Sequence, residues 1–374
     1  MEPIRQSLVD LLREPLTNLR LDQIEVGPAE AALGSAVQPL RTNGHAHAKP
    51  IGRTEWVLKV RGENRYYPIV GQIPVLLRPE VLGPASDTTT FDLRAPAYEE
   101  AYLEMEFYNQ FASAEAEELK KSSDFAELSD FVRGDAEVGV GEPSLDWLDA
   151  VHDMRSQADA YQALAPFSGE RTFMQIGGKG LHALKLLVGG AQTSVLLTPM
   201  IGEARFGLIL AEEFSLGERF GAVVGVAEEL PFADSVFDGS YAGGCAHHFT
   251  MDLAMPEVRR TLKIGAAFAA VEPYRAPLYS IGTKLFGKRE SNAHCSPMDE
   301  SRIAPMHAAF RDSEVRHHGT FLRYPLLALE KAGVTPARSI MARVAELDDR
   351  VAEMLRVSKH GSSVSLIARR SDGD

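Results

Sequence analysis

The chain is poor in cysteine. Only Cys245 and Cys295 occur in 374 residues. They form neither a CxxC pair nor a disulfide framework, and a thiolate zinc site anywhere before Cys245 is excluded. Such sparse usage fits a reducing cytoplasm. Long apolar runs are also missing, since no stretch approaches the roughly 20 residues that a membrane span needs. The opening Met-Glu-Pro-Ile-Arg lacks the charged and apolar regions of a signal peptide. Positive charge is in deficit, with 39 Lys and Arg against 52 Asp and Glu and a net charge of −13. That balance argues against nucleic acid or an anionic membrane as the main partner and leaves a small molecule as the expected one.

What is present begins with Thr172-Phe-Met-Gln-Ile-Gly-Gly-Lys-Gly180. It reads as a buried strand ending in a glycine turn, followed by a helix from Leu181 to about Val188. Glycine has no Cβ, so such a turn lets backbone N–H groups approach a nucleotide-like ligand. Further short apolar strands follow: Ser194–Thr198, Gly221–Gly225, Gly239–Gly243 and Ala267–Pro273, with helical stretches between them. This alternation predicts an α/β fold with a mainly parallel sheet covered on both faces. Ligands then bind outside the carboxyl ends of the strands.

The glycine turn, "AEELPFADSVFD", "AHHF", "EVRRTLKIGAAFAAVEP" and the final "SVSLIARR" together resemble the class I S-adenosylmethionine (SAM)-dependent methyltransferases over residues 165–370. The resemblance implies a Rossmann-like sheet and a SAM cradle formed by Gln175, Gly177, Gly178, Gly180, Thr198, Ala227, Glu228 and Gly243. Several positions depart from the family. Gln175 stands where an acidic residue is usual, and so does Leu196-Leu-Thr198, whose usual carboxylate accepts both ribose hydroxyls. Val226 replaces another acid, and Lys179 replaces a turn glycine. These changes fit drift within the family, or a cofactor held weakly or in another pose.

Residues 1–83 form a separate small β-rich module. Ser7–Thr17 and Tyr67–Leu77 resemble the Trm112-like zinc-ribbon family, but Glu14-Pro-Leu-Thr17 replaces its Cys-Pro-x-Cys. A zinc-less packing or dimerisation role is expected, the latter giving a homodimer. Asn43-Gly-His-Ala-His-Ala48 reads as an exposed loop. Residues 84–164 are acidic and helical. In the resembling family, helices before the first strand form a lid over the substrate, which makes Tyr102 and Tyr108 lid candidates. The methyltransferase-like domain takes residues 165–374, with amphipathic helices around 322–331 and 342–355. Its last strand, Ser363–Arg370, is expected antiparallel at the sheet edge.

His247 and His248 follow the fourth strand and Glu272 ends the fifth, which the resemblance places near the reacting methyl. Three readings stand. The histidines are structural; or His247 or His248 is a general base, for which an imidazole pKa of about 6.5 is suited; or His248, Glu272 and His294 ligate a divalent metal with open positions. His317-His318 could join either site or cap a strand. The expected function is SAM-dependent methyl transfer to a small molecule, in secondary metabolism by family analogy. The alternatives are a metal-dependent enzyme using SAM as partner or substrate, and a non-catalytic relative.

Overall fold

The computed structural model describes residues 3–25, 56–77, 121–133, 148, 153–276, 297–334 and 337–373. Near the N-terminus, α1 (Gln6–Leu11) precedes a four-stranded antiparallel sheet. Its strands, β1 (Leu21–Glu25), β2 (Trp56–Val60), β3 (Tyr66–Val70) and β4 (Ile73–Pro74), lie in chain order. The turn after α1 is built around Glu14. Glu14 is buried. Its Oε2 accepts from the backbone N–H of Leu16 and Thr17, at 2.9 and 2.6 Å, and from the Thr17 hydroxyl. Its Oε1 accepts from Arg65 and from the Tyr67 hydroxyl, both on the hairpin side. Five donors therefore surround one carboxylate and tie turn and hairpin together.

The large sheet follows, in the order β10-β11-β9-β8-β5-β6-β7. Its strands are β5 (Gly169–Ile176), β6 (Ala191–Thr198), β7 (Phe220–Val224), β8 (Phe237–Gly243), β9 (Leu262–Pro273), β10 (Asp312–His318) and β11 (Ser363–Arg369). Strands β5 to β9 pair in parallel, whereas β10 and β11 run antiparallel. The parallel strands are near-continuous apolar runs because helices cover both faces. All of β7 and the last four residues of β5 are buried. The helices are α2 (Ser123–Arg133), α3 (Met154–Leu164), α4 (Leu181–Val188), α5 (Ile201–Glu213), α6 (Met251–Thr261), α7 (Glu300–Ala309), α8 (Arg323–Lys331) and α9 (Arg338–Met354). Among the described residues no helix is long and apolar enough to cross a membrane.

The N-terminal module docks on its own chain. Val75 bridges Val224 of β7 in parallel, and Leu76 N–H donates to the Val224 carbonyl at 2.8 Å. Arg13 N–H and Ala233 N–H tie the α1 region to Pro231 and Leu11 carbonyls, each at 2.9 Å. The module thus covers the edge that β7 would otherwise leave open, where unpaired backbone groups invite pairing with other chains.

One expectation is corrected. Strand β11 is antiparallel but lies inside the sheet, between β9 and β10. Its first six residues are buried, while β10 alternates exposed and half-buried positions until His318 and forms the edge. The helix entering the large sheet, α3, lies on the sheet. It packs on β9 and β11, with Ser156 Oγ 2.7 Å from Ser363 Oγ. Tyr102, Tyr108 and the Asn43–Ala48 loop lie outside the described residues.

His318 ends β10 and joins neither site. Its Nε2 meets Asp159 of α3 at 2.9 Å and its Nδ1 meets Asp349 of α9 at 2.8 Å. Burial opposes its charge, but the two carboxylates outweigh burial and hold the imidazole up to about 9. A folded pKa above the unfolded value stabilises fully below about 6.5 and is lost as pH rises through about 9. His318→Gln should therefore cost about 3 kcal/mol at pH 6, a difference that shrinks toward zero by pH 10 in denaturant titrations. For Glu14, burial opposes the charge, while hydrogen bonds from Tyr67, Thr17 and Arg65 outweigh it and hold the carboxyl below its ordinary value. That contribution is present at neutral pH and is lost as pH falls through the folded pKa. Glu14→Ala should cost about 3 kcal/mol at pH 7 and less in acid, read by the same titrations.

Candidate functional site

Strand β5 lies between β8 and β6, so the connections leaving β5 and β8 diverge to opposite sides and open a crevice at the carboxyl ends. A cavity of about 230 Å³ fills it. Its wall comes from the glycine turn (Ile176, Gly177, Gly178), the β6 end and α5 start (Leu197, Pro199, Met200, Glu203), the segment after β7 (Gly225 to Glu228), and the segment after β8 (Gly243 to Cys245, His248, Phe249).

The glycine turn is bare by necessity. Gly177 has φ +76°, and a Cβ there would lie 2.7 Å from Cys245 Sγ. Gly180 makes a left-handed step, at φ +94°, into α4. The turn is braced from behind by Gln175. Its Nε2 donates to the Gly177 carbonyl at 2.8 Å, and its Oε1 accepts from Ala183 N–H at 2.7 Å. The amide thus spends both ends on backbone, a task a carboxylate could perform at one end only.

Two carboxyl groups face the cavity. Glu228, in the 3₁₀ turn Ala227–Glu229, accepts from Thr250 N–H at the start of α6 at 2.7 Å. Burial pushes its carboxyl up to about 7 against that hydrogen bond. Glu203, in the first turn of α5, accepts from the Thr198 hydroxyl at 2.8 Å. Burial pushes it up to about 7 as well, against the Thr198 hydrogen bond and the Lys179 charge, while Asp124 adds to the rise. Lys179 Nζ itself lies 3.5 Å from Asp124 and over the Phe206 ring.

The far wall is held by Glu272, whose side chain is fully buried. Oε1 accepts from Cys245 and Ala246 N–H at 3.0 and 2.6 Å, and Oε2 meets His247 Nδ1 at 2.6 Å. Arg302 of α7 donates to the His247 carbonyl. These bonds shape the 3₁₀ turn Ala246–His248 and bring His248 to the cavity. Burial pushes the Cys245 thiol well up, helped by the charges of Glu272 and Glu203, and its Sγ bonds the Ile176 carbonyl at 2.9 Å.

Of the residues expected from sequence, the cavity gathers Gly177, Gly178, Ala227, Glu228, Gly243 and His248. Gln175, Gly180, Thr198, His247 and Glu272 are not in its wall and act through the residues that are. For the metal set, Glu272 has both oxygens committed to the turn, and His294 lies outside the described residues. No group of three ligating side chains occurs among the described residues. His317 is half-buried against the Tyr274 ring, with centroids 4.6 Å apart, and burial pushes its pKa down. Sequence reasoning missed Glu203, Met200, Cys245 and Phe249. The usable signal for Glu203 was an acid in the first helical turn after the second parallel strand, a place that faces the carboxyl edge.

Residues 207–270, from mid-α5 through most of β9, match a family described as "Methyltransferase domain". No curated protein matches the sequence. A geranyl diphosphate methyltransferase in complex with SAM is similar at 17% identity, covering 59% of this chain and 88% of that one, with a TM-score of 0.42. Geranyl diphosphate C-methyltransferase from Streptomyces coelicolor A3(2), in complex with Mg2+, geranyl diphosphate and S-adenosyl-L-homocysteine, is similar at 14% identity, 67% and 98% coverage and a TM-score of 0.40. The cyclase SpnF is similar at 19% identity, 71% and 95% coverage and a TM-score of 0.42.

The Gln175 brace is testable. Gln175→Glu restores the family's acid but sets a carboxylate oxygen against the Gly177 carbonyl. It should cost about 2 kcal/mol at pH 8 and less at pH 5, read by thermal melts. Residues 207–270 are thus similar to a methyltransferase domain, and the seven-stranded sheet that contains them has the class I methyltransferase fold.

Proposed function

We propose that the cavity binds SAM and that the chain passes its methyl group to a small-molecule acceptor. The observation that carries this reading is the cavity wall. Glu203 and Glu228 face a pocket of glycines and apolar side chains at the sheet's switch point, and among the described residues no lysine or arginine lines it. Such a wall fits a ligand with an apolar base, hydroxyl and amine donors, and positive charge at sulfur. Gly177 and Gly178 leave room beside the strand end for the cofactor's amino-acid part, and Leu197, Met200, Val226 and Phe249 offer the apolar faces that an adenine ring needs.

SAM, when bound, supplies an activated methyl on a sulfonium, so positioning accounts for most of the acceleration. The chain's own contribution is to orient and to remove a proton. His248 is the imidazole in the cavity wall, and it is the group placed to take a proton from an acceptor. His247, bonded to Glu272, is a positioning residue whose ring packs against His248 with centroids 4.0 Å apart. The net charge of −13 favours a small acceptor over nucleic acid.

Isothermal titration should show SAM and its demethylated product, S-adenosylhomocysteine, binding one to one. Protein that folds cooperatively yet takes up neither at millimolar concentration would sink the proposal. His248→Ala should leave product affinity within about threefold. It should lower methylation of an acceptor found by screening by about 10²-fold or more.

A further inference from the structure

We infer that Glu203 provides the ribose contact that the strand end lacks: its carboxylate, held by Thr198, accepts the hydrogen bonds of the cofactor's sugar hydroxyls. The inference rests on the SAM reading of the cavity. The usual acceptor of the resembling family would stand at the end of β6, where this chain has Thr198, and a threonine cannot accept a pair of hydroxyls as a carboxylate does. Thr198 is fully buried and turned to another task. Its Oγ1 donates to Glu203 Oε2 at 2.8 Å and accepts from Met200 N–H at 3.2 Å. Glu203 is thereby tethered to the strand end while it lines the cavity. Its other oxygen, Oε1, takes no part in that bond. The carboxylate comes from the first turn of α5, five positions along the chain, and it reaches the same corner of the crevice.

Moving the acid from strand to helix changes its electrostatics. Burial and Asp124 of α2 favour the neutral form, whereas Lys179 of the glycine turn favours the charged one. Glu228 from the segment after β7, and Cys245 and His248 from the segment after β8, share the cavity wall. Only the ionised carboxylate accepts from both hydroxyls. With its carboxyl up at about 7, cofactor affinity is full in mild alkali and falls about tenfold per unit once pH drops below that value.

The test is calorimetry with S-adenosylhomocysteine and its 2′-deoxy and 3′-deoxy analogues, on wild type and Glu203→Gln. At pH 8 the variant should bind S-adenosylhomocysteine about 10- to 100-fold more weakly. Wild type should discriminate against each deoxy analogue by a similar factor, and the variant should barely discriminate. Between pH 6 and 8.5 the variant's affinity should change less steeply than wild type's, with Glu228→Gln reporting the other carboxyl's share. Equal affinity in variant and wild type, or wild type that binds the deoxy analogues as well as the parent, overturns the assignment. Should Glu203→Gln fail to melt cooperatively, the deoxy comparison on wild type still decides, with Thr198→Val expected to weaken binding severalfold. Wild type that binds no S-adenosylhomocysteine at any pH overturns the cofactor reading itself, and this inference with it.

Discussion

Glu272 is a carboxyl group at the end of a buried strand, and a polar group taken out of water must find hydrogen-bond partners. Here it finds three: the N–H groups of Cys245 and Ala246, and the His247 ring. Those donors all belong to the segment that follows β8, so satisfying the carboxylate sets the path of that segment. Gly243, Gly244, Cys245, His248 and Phe249 then form one wall of the cavity. The other walls depend on this one. The Cys245 Sγ that Glu272 helps to place reaches the Ile176 carbonyl and leaves Gly177 no room for a Cβ. One buried, hydrogen-bonded carboxyl group thereby couples the end of β9 to the glycine turn after β5.

Buried carboxyl groups recur in this chain. Glu14 gathers five donors in the turn after α1. Glu203 and Glu228 face a crevice that no described lysine or arginine lines, and burial pushes both upward toward neutrality. The difference among these acids is hydrogen bonding. Glu14 is surrounded by donors and stays below its ordinary value, while the cavity acids have few and rise. Partly satisfied carboxyls at a crevice are available to a ligand; fully satisfied ones hold the fold.

Much of the fold was legible because parallel strands buried on both faces must be apolar runs. Helix α4 and the strands β5 to β9 fall where the sequence pattern puts them. The strand order at the far end was not legible in the same way. Both β10 and β11 read as strands near the end of the chain, and the buried run Ser363–Ala368 against the alternating Asp312–His317 is what separates interior from edge. Helix α3 shows a similar limit. An amphipathic helix has an apolar face, but whether that face meets a sheet or a substrate depends on what is folded beneath it.

The candidate site divides along the same line. The sequence by itself determined the cavity's location, because the glycine turn, the Ala227-Glu228 pair and the His247-His248 pair all follow strands and so collect at one edge. Only the tertiary structure decided which side chains enter the crevice. Neighbours in sequence such as His247 and His248 diverge because a buried carboxylate 25 residues away captures one ring. Glu203 enters because a threonine five residues earlier holds it. Strand and helix periodicity is set by local backbone geometry, whereas the pairing of a buried charge is set by whatever donors folding brings within about 3 Å.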